Sequence, residues 1–289
     1  MPKSFLNLSA YQFTPFEAAG LPALRTRLLG LAKAHGLRGT ILMSPEGINL
    51  FVAGPAADVV ALLAELRTLP GLAGLTPKES WSAVQPFNRM LVKIKKEIIA
   101  FGVPGIDPAR QPARRLSPRT LKQWLDEGRP VTLLDTRNDY EVRLGTFAGA
   151  IDPQIRHFRK FPDAVRRLPA ALKPQPIVTF CTGGIRCEKA APLLAREGFQ
   201  TVYQLDGGIL KYFEECGGAH YQGECFVFDR RVGVDAKLKT TGAVLCWICQ
   251  MPVTVAEQTD ARYVYEQSCP HCFDRPRAGQ PCEETRLEG

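Results

Sequence analysis

The stretch that most narrows the fold is TFCTGGIRCEKA, residues 179–190. The apolar run PIVTF leading into it reads as a buried strand, and RCEKAAPLLAREG after it reads as a helix. A strand therefore ends at Cys181 and a helix opens near Arg186, with only a glycine-containing turn between them. The same alternation continues on both sides: VTLLD (131–135), the acidic turn TRNDYE, then TVYQLD (201–206) and GGILKYFEE. Short apolar runs alternating with helices predict an α/β sheet, mostly parallel and covered on both faces. The sheet is entered through SPRTLKQWLDEG, where Ser117 sits at an N-cap, Pro118 at the first helical position and Gly128 at the stop.

Residues 102–118, GVPGIDPARQPARRLSP, are dense in Pro, Gly and Arg and show no periodicity, which marks a linker. Before it, residues 1–101 alternate as strand FLNLSAYQF, helix PALRTRLLGLAKAHG, strand pair LRGTILMSPEGINLFVAG, helix AADVVALLAELRTLPG and strand RMLVKIKKEIIAF. That βαββαβ order predicts a ferredoxin-like (acylphosphatase-like) sandwich. The turn SPEGIN is a hairpin connection, with Glu46 and Asn49 as ligand-contact alternatives. After the α/β domain (119–216), residues 217–289 form a small cysteine-rich C-terminal segment.

Cys181 has three readings: metal ligand, inert buried thiol or nucleophile. It lies at the carboxyl end of a parallel strand, where ligands bind in α/β sheets. Within the loop Thr182, Gly183, Gly184, Ile185 and Arg186, the two glycines can turn backbone N–H groups inward as an anion nest. The helix amino end adds positive potential and Arg186 a permanent cation, all favouring thiolate over thiol. Five residues separate Cys181 from Cys187, which is not usual metal-ligand spacing. Cys187 reads as a helix residue near the loop, with a resolving thiol as the alternative. Asp135 and Arg137 close a strand and read as support, a buried ion pair or hydrogen bond that fixes loops.

The tail carries CWIC (Cys246, Cys249) and, 19 residues later, CPHC (Cys269, Cys272). Two C-x2-C knuckles can complete a tetrahedral zinc site, structural because all four positions are filled; packed reduced thiols or a redox pair are the alternatives. Cys216, Cys225 and Cys282 have no partner at useful spacing. The chain has 289 residues, 45% of them hydrophobic, and no apolar run of the roughly 20 residues a membrane span needs. Its start, MPKSFLNLSAYQF, lacks the parts of a signal peptide, so a cytoplasmic location is expected, with no membrane and no protein partner. A net charge of +8 suits an anionic partner. The basic bunches ARQPARRLSPR and IRHFRKFPDAVRR make Arg114, Arg115, Arg159 and Lys160 candidate phosphate contacts, against the alternative of solvated surface charge.

Cys-x-x-x-x-Arg between strand and helix, preceded by LLDTRNDYE and followed by VYQLDGGI, resembles a rhodanese (sulfurtransferase) domain over about Leu116 to Glu215. The specific forms CTGGIRCEKA, GTFAGAIDP, GECFVFDRRVGVD, GTILMSPEGIN and KKEIIAFGVPGIDP resemble, along nearly the whole chain, the bacterial rhodanese-domain tRNA uridine 5-hydroxylase family. Leu50 and Phe51 stand where that pattern has a small residue and a Thr. The resemblance implies a tRNA-modifying oxygenase that converts the wobble uridine, position 34, to 5-hydroxyuridine with molecular oxygen as co-substrate, and it makes Cys181 the essential residue. No flavin or nicotinamide fingerprint appears. Two alternatives remain at this point, a sulfurtransferase carrying a persulfide on Cys181 and a non-catalytic RNA-binding platform.

Overall fold

The computed structural model describes residues 4–274, so Cys282 lies outside the described residues. The chain divides into two compact units, Met1–Pro112 and Ala113–Gly289.

In the first unit β1 (Phe5–Phe13), α1 (Leu21–Ala34), β2 (Arg38–Ser44), β3 (Gly47–Gly54), α2 (Ala56–Arg67), β4 (Lys78–Ser82) and β5 (Met90–Ile94) form a mixed sheet of order β4-β1-β3-β2-β5. The first four strands have the 4-1-3-2 arrangement of a ferredoxin-like sandwich, all antiparallel, and β5 adds to β2 in parallel. Leu6, Leu8 and Ala10 of β1, with Ile48, Leu50 and Val52 of β3, share one core with Leu28 of α1 and Leu62 and Leu66 of α2. The pleat, which sends alternate residues to one face, selects these positions. The β2–β3 turn depends on Gly47, since a Cβ there would lie 2.1 Å from the carbonyl oxygen of Gln12.

Two details differ from the pattern in the sequence. The strand that closes the βαββαβ order is β4, whose KESWS lacks apolar alternation. RMLVKIKKEIIAF is a strand only over Met90–Ile94. Beyond Lys95, side chains take the backbone groups that a ladder would use. Glu46 Oε1 accepts from the Ile98 N–H at 2.7 Å, Asn49 Nδ2 donates to the Ile98 carbonyl at 3.2 Å, and Glu97 Oε2 accepts from the Phe101 and Gly102 N–H groups. Glu46 and Asn49 thus anchor this segment.

The second unit runs β6 (Arg114–Leu116), α3 (Pro118–Asp126), β7 (Thr132–Asp135), α4 (Asp139–Val142), β8 (Gly145–Phe147), α5 (Phe161–Arg166), β9 (Pro176–Phe180), α6 (Ile185–Arg196), β10 (Thr201–Leu205) and α7 (Gly208–Cys216). Short strands follow: β11 (Tyr221–Gly223), β12 (Cys225–Phe226), β13 (Gly233–Val234), β14 (Val244–Leu245) and β15 (Pro252–Val253). The central sheet is parallel, of order β6-β10-β9-β7. Arg114–Leu116, inside the stretch that reads as linker, is its edge strand. The N-cap of α3 forms as its residues dictate: the Thr120 N–H donates to Ser117 Oγ at 3.1 Å, with Pro118 in the first turn. The post-helical chain joins this unit, because β11 pairs antiparallel with β8 and Cys225, Val227 and Val234 enter the core with Val178, Phe180 and Leu205. Among the described residues no helix is long and apolar enough to cross a membrane.

Candidate active site and four-cysteine cluster

Strand β9 ends at Phe180 and places Cys181 in the turn before α6, where it is 1% exposed. The turn reverses at Gly184, whose φ of +101° is in the region that favours glycine. That conformation aims the Gly184 N–H at Cys181 Sγ, 3.0 Å away. Burial pushes the thiol up, but a hydrogen bond with the Cys187 side chain, the Arg186 charge and the N–H groups of Arg186 and Gly184 together lower it to about 5. Cys187, fully buried, is pushed the other way, by burial first and then by its hydrogen bond and charge coupling to Cys181. Its Sγ also lies 3.7 Å from Thr136 Oγ1. The two shifts run in opposite directions, favouring the thiolate at Cys181 and the neutral thiol at Cys187.

Arg186 is itself held. Its Nη1 and Nη2 donate to Glu141 Oε2 and Oε1 at 2.6 and 2.7 Å, a buried bidentate pair. Glu141 is at the third position of α4 and also accepts from the Asn138 N–H at 3.0 Å, forming a capping box. Thr182 Oγ1 donates to the Phe226 carbonyl at 3.3 Å, and the Arg186 guanidinium lies 5.7 Å from the Phe228 ring centroid. On the far side, the Ile209 and Leu210 N–H groups donate to the carbonyls of Cys181 and Thr182 at 2.9 and 3.1 Å. Gly208 makes this approach feasible, since a Cβ on it would stand 2.4 Å from the Cys181 carbonyl oxygen.

The loop residues Thr182, Gly183, Gly184, Ile185, Arg186 and Cys187 thus assemble around Cys181. Asp135 and Arg137 pair instead with each other at the end of β7: Arg137 Nη2 donates to Asp135 Oδ2 at 2.6 Å and to the Gly145 carbonyl at 2.7 Å, while Thr146 Oγ1 donates to the same carboxylate at 2.8 Å. Both are wholly buried and tie β7 to β8. Of the basic candidates, Arg115 meets Glu188 and Asp206 at 3.1 and 3.3 Å, whereas Arg114, Arg159 and Lys160 are exposed. Reading the sequence missed Glu141, Gly208, Phe226 and Phe228. The spacing of Asn138 and Glu141 is a capping-box signal that could have found α4, but nothing local links Glu141 to Arg186.

Cys246, Cys249, Cys269 and Cys272 converge, all four sulfurs lying within 4.8 Å of one another. The separations are 3.8 Å for Cys246–Cys272, 3.5 Å for Cys249–Cys269 and 3.7 Å for Cys269–Cys272. Zinc–sulfur bonds of about 2.3 Å in a tetrahedron put sulfurs about 3.8 Å apart, so the four thiols fit one zinc-sized ion. Met251, on the turn between the first knuckle and β15, brings the cluster back to the site region, its sulfur 3.1 Å from Arg156 Nη1. Arg156 in turn pairs with Asp139 and lies over the ring of Tyr140, two residues of α4.

Residues 5–98 match the UPF0176 acylphosphatase-like domain and residues 117–215 the rhodanese-like domain. A Cupriavidus taiwanensis protein named tRNA uridine(34) hydroxylase is 48% identical over 273 residues, 93% of this chain and 96% of that one. The chain belongs to the tRNA uridine(34) hydroxylase family. The resemblance carried by CTGGIRCEKA and GECFVFDRRVGVD is borne out. Other members of the family include the Ralstonia nicotianae protein of the same name, 47% identical over 274 residues, 93% of this chain and 96% of that one. The rhodanese-like domain of an Anabaena protein is 27% identical with a TM-score of 0.33, covering 38% of this chain and 78% of that one.

Proposed function

We propose that this chain hydroxylates C5 of the wobble uridine, position 34, of tRNA in the cytoplasm, giving 5-hydroxyuridine with molecular oxygen as co-substrate and Cys181 as the reacting group. The observation that carries the chemistry is the Cys181 sulfur, lowered to about 5 and facing the Gly184 N–H at 3.0 Å. A thiolate of this kind adds to C6 of uracil. The C5–C6 π pair then moves toward C5 and O4, and C5 becomes an enolate-like carbon able to react with oxygen. One oxygen atom remains on C5 and the other leaves as water, which takes two electrons and two protons from an external reductant of the thiol class. Loss of the C5 proton expels the sulfur from C6 and restores the ring. Because Cys181 is 1% exposed, the base reaches it only after neighbouring groups move aside.

Arg186, clamped by Glu141, acts on the sulfur by charge and by its backbone N–H. Exposed Arg114, Arg159 and Lys160 are assigned to tRNA phosphates, and the four-cysteine cluster to a structural zinc. Such an ion offsets half the charge of four thiolates and joins the two knuckles, with no position left for oxygen. The rhodanese-like domain also supports a second reading, transfer of sulfur from a Cys181 persulfide.

Nucleoside mass spectrometry separates the two. tRNA from cells carrying the wild-type chain should contain 5-hydroxyuridine, and tRNA from cells carrying a folded Cys181→Ser chain should not. Undiminished 5-hydroxyuridine with the serine variant sinks the assignment of Cys181. Thiosulfate-to-cyanide transfer without any 5-hydroxyuridine favours the second reading.

A further inference from the structure

The sheet of the first unit buries one face under α1 and α2, and the opposite face carries aromatic rings. Since Leu6, Leu8 and Ala10 face the helices, the pleat turns Asn7, Ser9, Tyr11 and Phe13 of β1 the other way. Phe51 of β3 joins them, in register with Ser9, whereas Asn49, in register with Tyr11, is covered there by the Ile98 segment that it holds. β1 and β3 are adjacent and interior to the sheet. Tyr11 and Phe51 occupy diagonal positions, about 7–8 Å apart, so each can take its own base. Both rings are half-buried and retain accessible area, and Tyr11 is steadied edge-on by Phe13 at 6.2 Å.

Two further observations say what the face receives. Lys78 of β4, in register with Ser9, and Lys93 of β5, in register with Leu42, bring positive charge to this same face from its two sides. Asn7 is 5% exposed; its Oδ1 accepts from Ser82 Oγ at 3.2 Å, while its Nδ2 finds no acceptor among the described residues. A buried amide donor left without a partner is destabilising unless something arriving from outside accepts from it.

We infer that this face binds an unpaired segment of RNA. Tyr11 and Phe51 stack on bases, Lys78 and Lys93 meet phosphates, and Asn7 Nδ2 donates to a base carbonyl. Rings, cations and a free amide donor on one sheet face are the elements by which single strands are held on such platforms. This rests on tRNA being the substrate, and it assigns a second contact to the unpaired part of that molecule.

The test uses the full chain and a fluorescein-labelled short oligouridylate in an anisotropy titration. Tyr11→Leu and Phe51→Leu, which keep apolar bulk, should each weaken binding about tenfold, and Phe51→Tyr should retain it. Lys78→Gln and Lys93→Gln should each flatten the log–log salt dependence by about 0.7. Thermal melts and Cys181 alkylation, which reports on the other unit, verify folding. Unchanged affinity and salt slope in folded variants overturn the inference, as does a wild-type chain that does not bind the oligomer. A ring variant that changes only the association state in sedimentation also overturns it, and assigns the face to a second copy. Wild-type protein that binds the oligomer through these residues yet makes no 5-hydroxyuridine leaves the inference standing and removes the proposed function instead.

Discussion

Cys187→Ala should raise the pKa of Cys181 without unfolding its loop. Among the groups that lower the Cys181 thiol to about 5, the Cys187 side chain comes first, ahead of the Arg186 charge and the two backbone N–H groups. A hydrogen bond to a charged acceptor contributes about 1.5–3 kcal/mol. At about 1.4 kcal/mol per pKa unit, its loss should move the midpoint up by about one to two units. At pH 6 the wild-type sulfur is then about nine-tenths thiolate, whereas the variant is between about one-half and one-tenth. The assay is the iodoacetamide alkylation rate of the Cys181 peptide, followed by mass spectrometry from acid to mildly alkaline pH. The midpoint carries the information, because 1% exposure slows the absolute rate in every variant. Cys187→Ser keeps a donor and should keep the low midpoint. A wild-type midpoint near the ordinary thiol value of about 8.5, or one that Cys187→Ala leaves in place, would refute this account of the loop.

The same shift fixes the sign of the pH dependence of stability. A folded-state pKa depressed below the unfolded one gives stability that is full above the unfolded value and lost as pH falls through the folded value. Cys181 alone therefore predicts a melting temperature that climbs between about pH 5 and 8.5. Cys187, pushed upward, opposes this only above about 8.5, where the unfolded thiol ionises and the folded one does not. Cys181→Ser should remove the climb.

Glu141→Ala leaves the Arg186 guanidinium buried without its carboxylate, which should cost about 3–5 kcal/mol in a urea titration; a loss below about 1 kcal/mol would mean that the pair is dispensable. Gly207 and Gly208 both have positive φ, but a Cβ on Gly207 meets only the movable Lys211 side chain, whereas one on Gly208 meets the Cys181 and Thr182 carbonyls. Gly208→Ala should therefore lower both melting temperature and Cys181 reactivity more than Gly207→Ala, and equal effects would contradict the close approach. Metal analysis of protein purified without chelator should find about one zinc per chain, as one four-cysteine site implies. Identical melting with and without chelator would exclude a structural ion.

What the sequence made legible is what is encoded over a few residues. The Ser117 cap, with Pro118 behind it, is a local exchange of hydrogen bonds and forms as its spacing dictates. PIVTF running into Cys181 and a glycine turn determines a strand end, a helix start and the direction of the N–H groups, all within one βα unit. The four-cysteine cluster is legible for the same reason, since each knuckle is one turn and only the joining of two turns is long-range. By contrast β4 was hidden: KESWS on a sheet edge needs no apolar alternation to pair with β1. The last predicted strand ran too long because Glu46 and Asn49, half a domain earlier, capture the backbone of Ile98.

The site shows the same division more sharply. The cysteine proposed to react could be named from twelve residues, yet the groups that hold the loop come from three other places. Glu141 reaches Arg186 across 45 positions, Phe226 accepts from Thr182 across 44, and Ile209 donates to the Cys181 carbonyl from the start of α7. None of these carries a local signature of its role: Glu141 looks like an ordinary capping residue, GECFVFD like the start of a tail, and DGG like a turn. A thiolate in a buried loop requires such distant support, because the inward N–H groups must stay aimed at the sulfur while the chain around them is free to relax. The candidate nucleophile can therefore be found in the primary structure, while the scaffold that holds its loop becomes visible only once the parallel sheet has brought α4, α6, α7 and β12 to one edge.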